Sequence, residues 1–144
     1  MTLLERAIGI ALRAHAGQKT KDGSPYILHP LRVMARMTTG EERMAAVLHD
    51  VIEDSDLTLE DLRREGFPES VLTAVSLMTH EDGISYEDYV QRLKPDPMAR
   101  RIKLADLEDN SDIRRLSGIE EKDIERLRRY HRAWQILRPA ASEL

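Results

Sequence analysis

Residues 41–54 read EERMAAVLHDVIED. Met44, Ala45, Val47, Leu48 and Val51 recur at three- and four-residue steps, the period of a helix with one apolar face. The spacing predicts a helix over about Glu41–Ile52. If that helix runs on, His49 shares a side with Glu53, and Asp50 with Asp54. Four polar, mostly acidic groups then follow directly on an apolar run. Carboxylates in such a place are costly unless a cation or a basic partner compensates them.

The helical period extends outward in both directions. Leu3, Leu4, Ala7, Ile8, Ala11 and Ala14 follow Thr2-x-x-Glu5, a capping-box pattern, and Gly17 closes that segment. Residues 17–28, GQKTKDGSPYIL, hold Asp22-Gly23 and Pro25 and read as an irregular loop. Pro30 suits the first turn of a second helix running through Met37. Downstream, Thr58-x-x-Asp61 starts a short helix stopped at Gly66, and Pro68 opens one to about Met78. Ser85-x-x-Asp88 caps another that ends before Pro95. Pro97 begins a long helix carrying KLADLEDN (103–110), with its break at Ser117-Gly118. A last helix is expected from about Glu120 to Leu137, ending at Pro139. No segment alternates as a half-buried strand does. The reading is an all-α, single-domain bundle of about seven or eight helices over residues 1–144.

Composition narrows the function. The 144 residues are 41% hydrophobic and 33% charged, enough for one core and a well-solvated surface. The absence of Cys excludes disulfides, thiolate nucleophiles and Cys-ligated metals, and fits a reducing cytosol. Aromatics at 4% argue against a base-stacking nucleic-acid platform. A net charge of −4 argues against a broadly basic face for nucleic acid or membrane. No apolar run approaches the roughly 20 residues of a membrane span, and MTLLERAIGIALRAHAG does not read as a signal peptide. The expectation is a cytoplasmic domain whose ligand, where anionic, meets a local positive charge.

Three places offer chemistry. The first is His49-Asp50 with Glu53-Asp54. The second is Lys103, Asp106, Asp109 and Asn110, where Asp106 and Asn110 share a helix face. The third is His29, just before Pro30. His29, His49, Asp50 and Asp106 together supply two imidazoles and two carboxylates, a donor set suited to Mn²⁺, Fe²⁺ or catalytic Zn²⁺. Such a metal lowers the pKa of a bound water, which Glu53 and Asp54 could orient or deprotonate. Each piece alone has a plainer reading. A His-Asp dipeptide occurs by chance, His29 could cap a helix, and Glu53-Asp54 could be an exposed acidic turn. LADLEDN could be a solvated face answered by Arg114 and Arg115. His15, His80 and His131 read as structural or surface residues, and Met34, Met37, Met44 and Met78 as core packing.

Taken in order, AHAGQKTKDGSPYILHPLRV (14–33), AAVLHDVIED (45–54) and RIKLADLEDN (101–110) are far more specific than any one of them. Over about residues 7–115 the chain resembles the HD-superfamily hydrolase domain of Rel/SpoT stringent-response enzymes and small alarmone hydrolases. The resemblance implies an α-helical fold and removal of pyrophosphate from the 3′ position of guanosine tetra- and pentaphosphate. It implies Mn²⁺ as cofactor, with another divalent metal as the alternative, held by His29, His49, Asp50 and Asp106. Glu53 and Asp54 match the residues that serve the hydrolytic water and the acid/base step. Asn110 matches a contact to the sugar-phosphate region, Lys21 a basic residue against the nucleotide, and Tyr26 with Pro25 the same wall. Lys103 is expected to join Lys21 in offsetting phosphoryl charge.

Two departures stand out. Thr20 occupies a position where the family usually carries an Arg that packs on guanine, and threonine offers no guanidinium face. Leu107 and Asp109 stand where the family often has a basic residue and His or Tyr. The metal and water machinery is complete while the base-reading part is altered. One alternative is therefore a phosphatase for another nucleotide, such as NADPH or a nucleoside monophosphate. Another is a non-catalytic nucleotide-binding module. In the last helix, Ile124, Leu127, Tyr130, Ala133, Trp134 and Leu137 form a core-facing stripe. Arg126, Arg128, Arg129 and Arg132 read as a solvated face, a homo-oligomer contact being the alternative.

Overall fold

Helices begin where a side chain can accept the amides that the first turn leaves unpaired. A computed structural model, which describes residues 1–139, shows this at five helix starts. Thr2 accepts from the Glu5 amide ahead of α1 (Leu3–Ala14), and Thr39 from Glu42 ahead of α3 (Gly40–Leu48). Thr58 and Asp61 complete a capping box at α5 (Leu59–Arg64), which ends at Gly66 with φ 94°. Ser85 accepts from Asp88 at α7 (Tyr86–Leu93), and Asp96 from Ala99 at α8 (Pro97–Asn110), with Pro97 as first residue. The remaining helices are α2 (Leu28–Ala35), α4 (Val51–Asp54), α6 (Glu69–Met78) and α9 (Glu121–Leu137). Pro30 lies in the first turn of α2, where no intrahelical bond needs its amide.

The architecture is all-helical among the described residues, with only an isolated bridge between Lys19 and Pro25. Counting α4 as the continuation of α3 gives eight α-helices among the described residues, within the seven or eight that the sequence pattern predicts. The last five residues of the expected domain, 140–144, lie outside the described residues. No helix among those described is long and apolar enough to cross a membrane.

Helix α3 is the axis of the bundle, packed against α1, α2, α6 and α8. Ala45, Ala46, Val47 and Leu48 are fully buried because neighbours cover that helix on several sides. Helix α9 lies across α7 and α8, burying Ala133 and Leu137, while Ile124, Leu127, Tyr130 and Trp134 are half-buried. Arg128, Arg129 and Arg132 are exposed.

Helix α2 ends at Ala35, two residues before the expected Met37, and two other boundaries differ more. The helix expected to run unbroken to Ile52 is interrupted at His49-Asp50, where Asp50 adopts φ −105°, ψ 1°. Neighbouring residues on a regular helix point about 100° apart, and the turn at His49-Asp50 changes that relation where both side chains reach one point. The long helix ends at Asn110 instead of Ser117-Gly118. Ser111 takes its C-cap, and Asp112 caps a separate 3₁₀ turn, Ile113–Arg115.

Candidate metal centre

Three distant stretches meet at one point. His29 comes from the first turn of α2, His49 and Asp50 from the α3–α4 break, and Asp106 from the third turn of α8. One donor atom from each lies within 4.8 Å of all the others. His29 Nε2 is 2.8 Å from Asp106 Oδ1, and His49 Nε2 is 3.0 Å from Asp50 Oδ2 and 3.3 Å from Asp106 Oδ1. His29, His49 and Asp106 are 2%, 1% and 4% exposed, so the cluster is sealed on its inner side.

Each donor is held by a further group. His49 Nδ1 donates to the Ala46 carbonyl at 2.6 Å, and His29 Nδ1 lies 2.6 Å from Asp109 Oδ2. Both Nε2 atoms therefore turn toward the carboxylates. The Tyr26 hydroxyl donates to Asp50, and Asn110 Nδ2 donates to Asp106 Oδ1 at 3.1 Å. Lys103 Nζ donates to Asp106 Oδ2 at 2.9 Å.

The electrostatics fit a cation. Burial works against charge on His49, but Asp50 and Asp106 outweigh it and raise its pKa well above the ordinary imidazole value. Burial likewise opposes a charged His29, and hydrogen bonds to Asp106 and Asp109 reverse that. Burial would raise Asp50, yet the His49 charge and hydrogen bond lower it to about 2. Asp106 lies well below the usual carboxylate range, because Lys103 and the two imidazoles overcome its burial. Ionised carboxylates that favour positive charge on the facing nitrogens make the demand a divalent cation meets. Two imidazole nitrogens and two carboxylate oxygens match that chemistry.

Glu53 and Asp54 stand one turn on, in α4, and both reach solvent. Glu53 accepts the His80 amide, and partial burial raises its pKa despite that bond. Partial burial, then Asp50, raises Asp54, whose Oδ2 is 3.7 Å from His15 Nδ1.

A groove of about 290 Å³ opens beside His29. Lys21, Tyr26 and Asn110 line it, as do Thr20, Arg32 and Arg115. Lys21 is half-exposed and lies 3.6 Å from Asp123. Lys103, expected to face phosphoryl oxygens, does not line this groove. Its ammonium is buried against Asp106, 5.8 and 5.2 Å from the ring centroids of Tyr86 and Tyr89. The reason is tertiary: α7 lays two tyrosines over α8 at that point.

His15, read from sequence as a structural or surface residue, and Arg32, which was assigned no role, also reach this region. His15 is 1% exposed, with Nδ1 2.9 Å from Gln18 Oε1, and Gln18 also donates to the Asp54 carbonyl at 3.1 Å. The motif AHAGQ held both residues, but nothing local tells that α1 brings them to Asp54. Arg32 donates to Asp109 at 2.8 Å. Its position three residues after His29, on the same face of α2, was the available signal.

A sequence profile for the HD domain matches residues 7–129. The GTP pyrophosphokinase of Streptomyces coelicolor is 38% identical over 116 residues, 72% of this chain and 14% of that protein. The guanosine-3′,5′-bis(diphosphate) 3′-pyrophosphohydrolase of Aquifex aeolicus is 34% identical over 119 residues, 74% of this chain and 17% of that protein. The chain thus spans 14–17% of the length of these two relatives. A solved structure described as a metazoan ortholog of SpoT that hydrolyzes ppGpp and plays a role in starvation responses has the same fold. It matches with a TM-score of 0.77 at 24% identity, over 99% of this chain and 89% of that one.

Proposed function

This chain belongs to the HD domain family, and from that premise we propose that it is a Mn²⁺-dependent hydrolase removing pyrophosphate from the 3′ position of guanosine tetra- or pentaphosphate. The observation that carries the reading is the convergence of His29, His49, Asp50 and Asp106 donor atoms within 4.8 Å. Beside them stand two carboxylates of raised pKa and a groove lined by lysine and arginine. The activity that names the Aquifex relative supports the same reaction. We place the activity in the cytoplasm.

In this reading the two imidazoles and two carboxylates hold the cation. When bound, it supplies a water of lowered pKa and offsets charge on the phosphoryl oxygens. Glu53 or Asp54 takes a proton as the water oxygen bonds to phosphorus. The bond from phosphorus to the ribose 3′ oxygen breaks, and that oxygen leaves with a proton from the other carboxylate or solvent. A carboxyl whose pKa is raised toward the working pH is the better proton carrier. Lys21, Tyr26 and Asn110 line the groove, and in this reading that wall takes the sugar and its phosphates. Because the whole chain carries −4, attraction of an anionic nucleotide falls to the groove's own cations.

A second substrate class has one observation in its favour. The Thr20 hydroxyl donates to Asp22 within its own loop and presents no planar cation to a guanine. A phosphatase acting on NADPH or a nucleoside monophosphate would keep the same centre. Product identification with Mn²⁺ separates the two. Pyrophosphate from guanosine tetraphosphate is the expected result, and orthophosphate from the other compounds shifts the assignment. Absence of turnover on the whole panel by the Mn²⁺-loaded protein would overturn the enzymatic reading.

A further inference from the structure

A histidine ligand holds a metal well when its second ring nitrogen is itself tied down, which fixes tautomer and ring orientation. The two histidines achieve this differently. His49 uses backbone, the Ala46 carbonyl of its own helix. His29 uses a side chain 80 residues away, Asp109, 2.6 Å from Nδ1. Asp109 is itself clamped. Arg32 Nε donates to Oδ1 at 2.8 Å, and Arg32 Nη2 to Oδ2 at 3.1 Å. Arg115 Nη1 lies 3.5 Å from Oδ1, while Arg115 Nη2 donates to the Asp109 carbonyl. The Asp109 side chain is 12% exposed. Burial works against its charge, and His29 and Arg32 hold it well below the usual carboxylate range.

We infer that Asp109 is the positioning residue of the metal centre: it holds the His29 Nδ1–H so that Nε2 faces the cation, and Arg32 fixes the carboxylate that does so. This rests on the metal-dependent reading above and adds to it the residue that decides how firmly His29 binds. Arg32 gives both Asp109 oxygens a hydrogen bond, and Arg115 holds the Asp109 backbone carbonyl while its second nitrogen lies near the carboxylate, more than a solvated helix face needs. Asp109 touches the ligand and not the substrate, so its effect falls first on metal affinity.

The experiment measures Mn²⁺ binding by calorimetry for the native chain, Asp109→Ala, Asp109→Asn and Asp50→Ala, with circular dichroism as the check on folding. Histidine ring nitrogens are followed by ¹⁵N spectroscopy with Zn²⁺ as a diamagnetic probe. Asp109→Ala is expected to weaken Mn²⁺ binding about 10–100-fold, and Asp109→Asn, which keeps an acceptor oxygen, by less. The His29 ring signals change while those of His49, held by Ala46, do not. Unchanged affinity in Asp109→Ala overturns the inference, as does an equal disturbance of His29 and His49. Should the alanine variant fail to fold, Asp109→Asn decides by the same two readouts. Full Mn²⁺ affinity in Asp50→Ala would instead overturn the metal centre itself, whatever the Asp109 variants do.

Discussion

The candidate metal centre and the groove beside it share His29 and the supporting residues Tyr26, Arg32 and Asn110 but are otherwise built on opposite terms. In the centre, His29, His49 and Asp106 are at most 4% exposed, and each donor is fixed by a named partner. In the groove, Thr20 turns to Asp22, Lys21 lies near Asp123, and Arg115 stands 3.7 Å from Asp112. Those groove groups sit on loops or helix ends and are at least partly exposed. In the proposed reading the difference separates chemistry from recognition. Displacing a buried ligand leaves charges with no water to solvate them, whereas a loop side chain can be exchanged at modest cost.

The sharpest break of this contrast is Asp50→Ala. It removes one ligand and the acceptor of the Tyr26 hydroxyl while leaving the Lys103–Asp106 pair intact. Mn²⁺ binding should be lost and turnover should fall about 10³-fold or more; calorimetry and a product assay check both. Normal turnover in a folded, metal-free variant would end the scheme. Asp106→Ala is a poorer probe, because it strands the buried Lys103 ammonium. Removing one partner of such a pair costs about 3–5 kcal/mol, so a thermal melt should fall before any metal is added.

Next in size is Glu53→Gln, which should lower turnover about 10²–10³-fold with Mn²⁺ affinity kept. The pH dependence carries a sign. Burial raises both Glu53 and Asp54, so the base form is lost at a higher pH than for an ordinary carboxylate. Activity should therefore fall as pH drops through that raised value, above the usual range of about 4. A pH–rate profile of Glu53→Gln should lose or shift that acid limb. An unchanged limb would assign the base role elsewhere.

The same contrast explains what the sequence could tell. Helix starts were legible because capping is local: Thr58 with Asp61, Ser85 with Asp88 and Pro97 behind Asp96 act within four residues. The donor types were legible too, since two imidazoles and two carboxylates on apolar segments need a common reason. The break at His49-Asp50 was not, because the residues alone continue a helical period and nothing local in them marks a stop. Lys103 was expected to face phosphoryl oxygens. Its burial depends on Tyr86 and Tyr89 from a different helix, which no spacing within KLADLEDN reveals. Asp109 looked like a departure from pattern, and its partners His29 and Arg32 lie 80 and 77 residues away.

The smallest expected effect is the one that sharpens the groove. Thr20→Arg places a guanidinium in the loop, where the native hydroxyl is spent on Asp22. A cation over an aromatic face is worth about 1–2 kcal/mol when partly desolvated. Preference for guanosine over adenosine 3′-pyrophosphates, read as a ratio of kcat/KM, should rise about 5–30-fold. Mn²⁺ affinity should not move, since Thr20 touches none of the four donors. If preference stays flat while the arginine variant folds and binds metal, base reading lies outside loop 17–28, with Ile113, Leu116 and Leu127 as the next wall to change. If metal affinity moves instead, the loop and the centre are mechanically one unit, and the division between a fixed catalyst and an exchangeable wall does not hold.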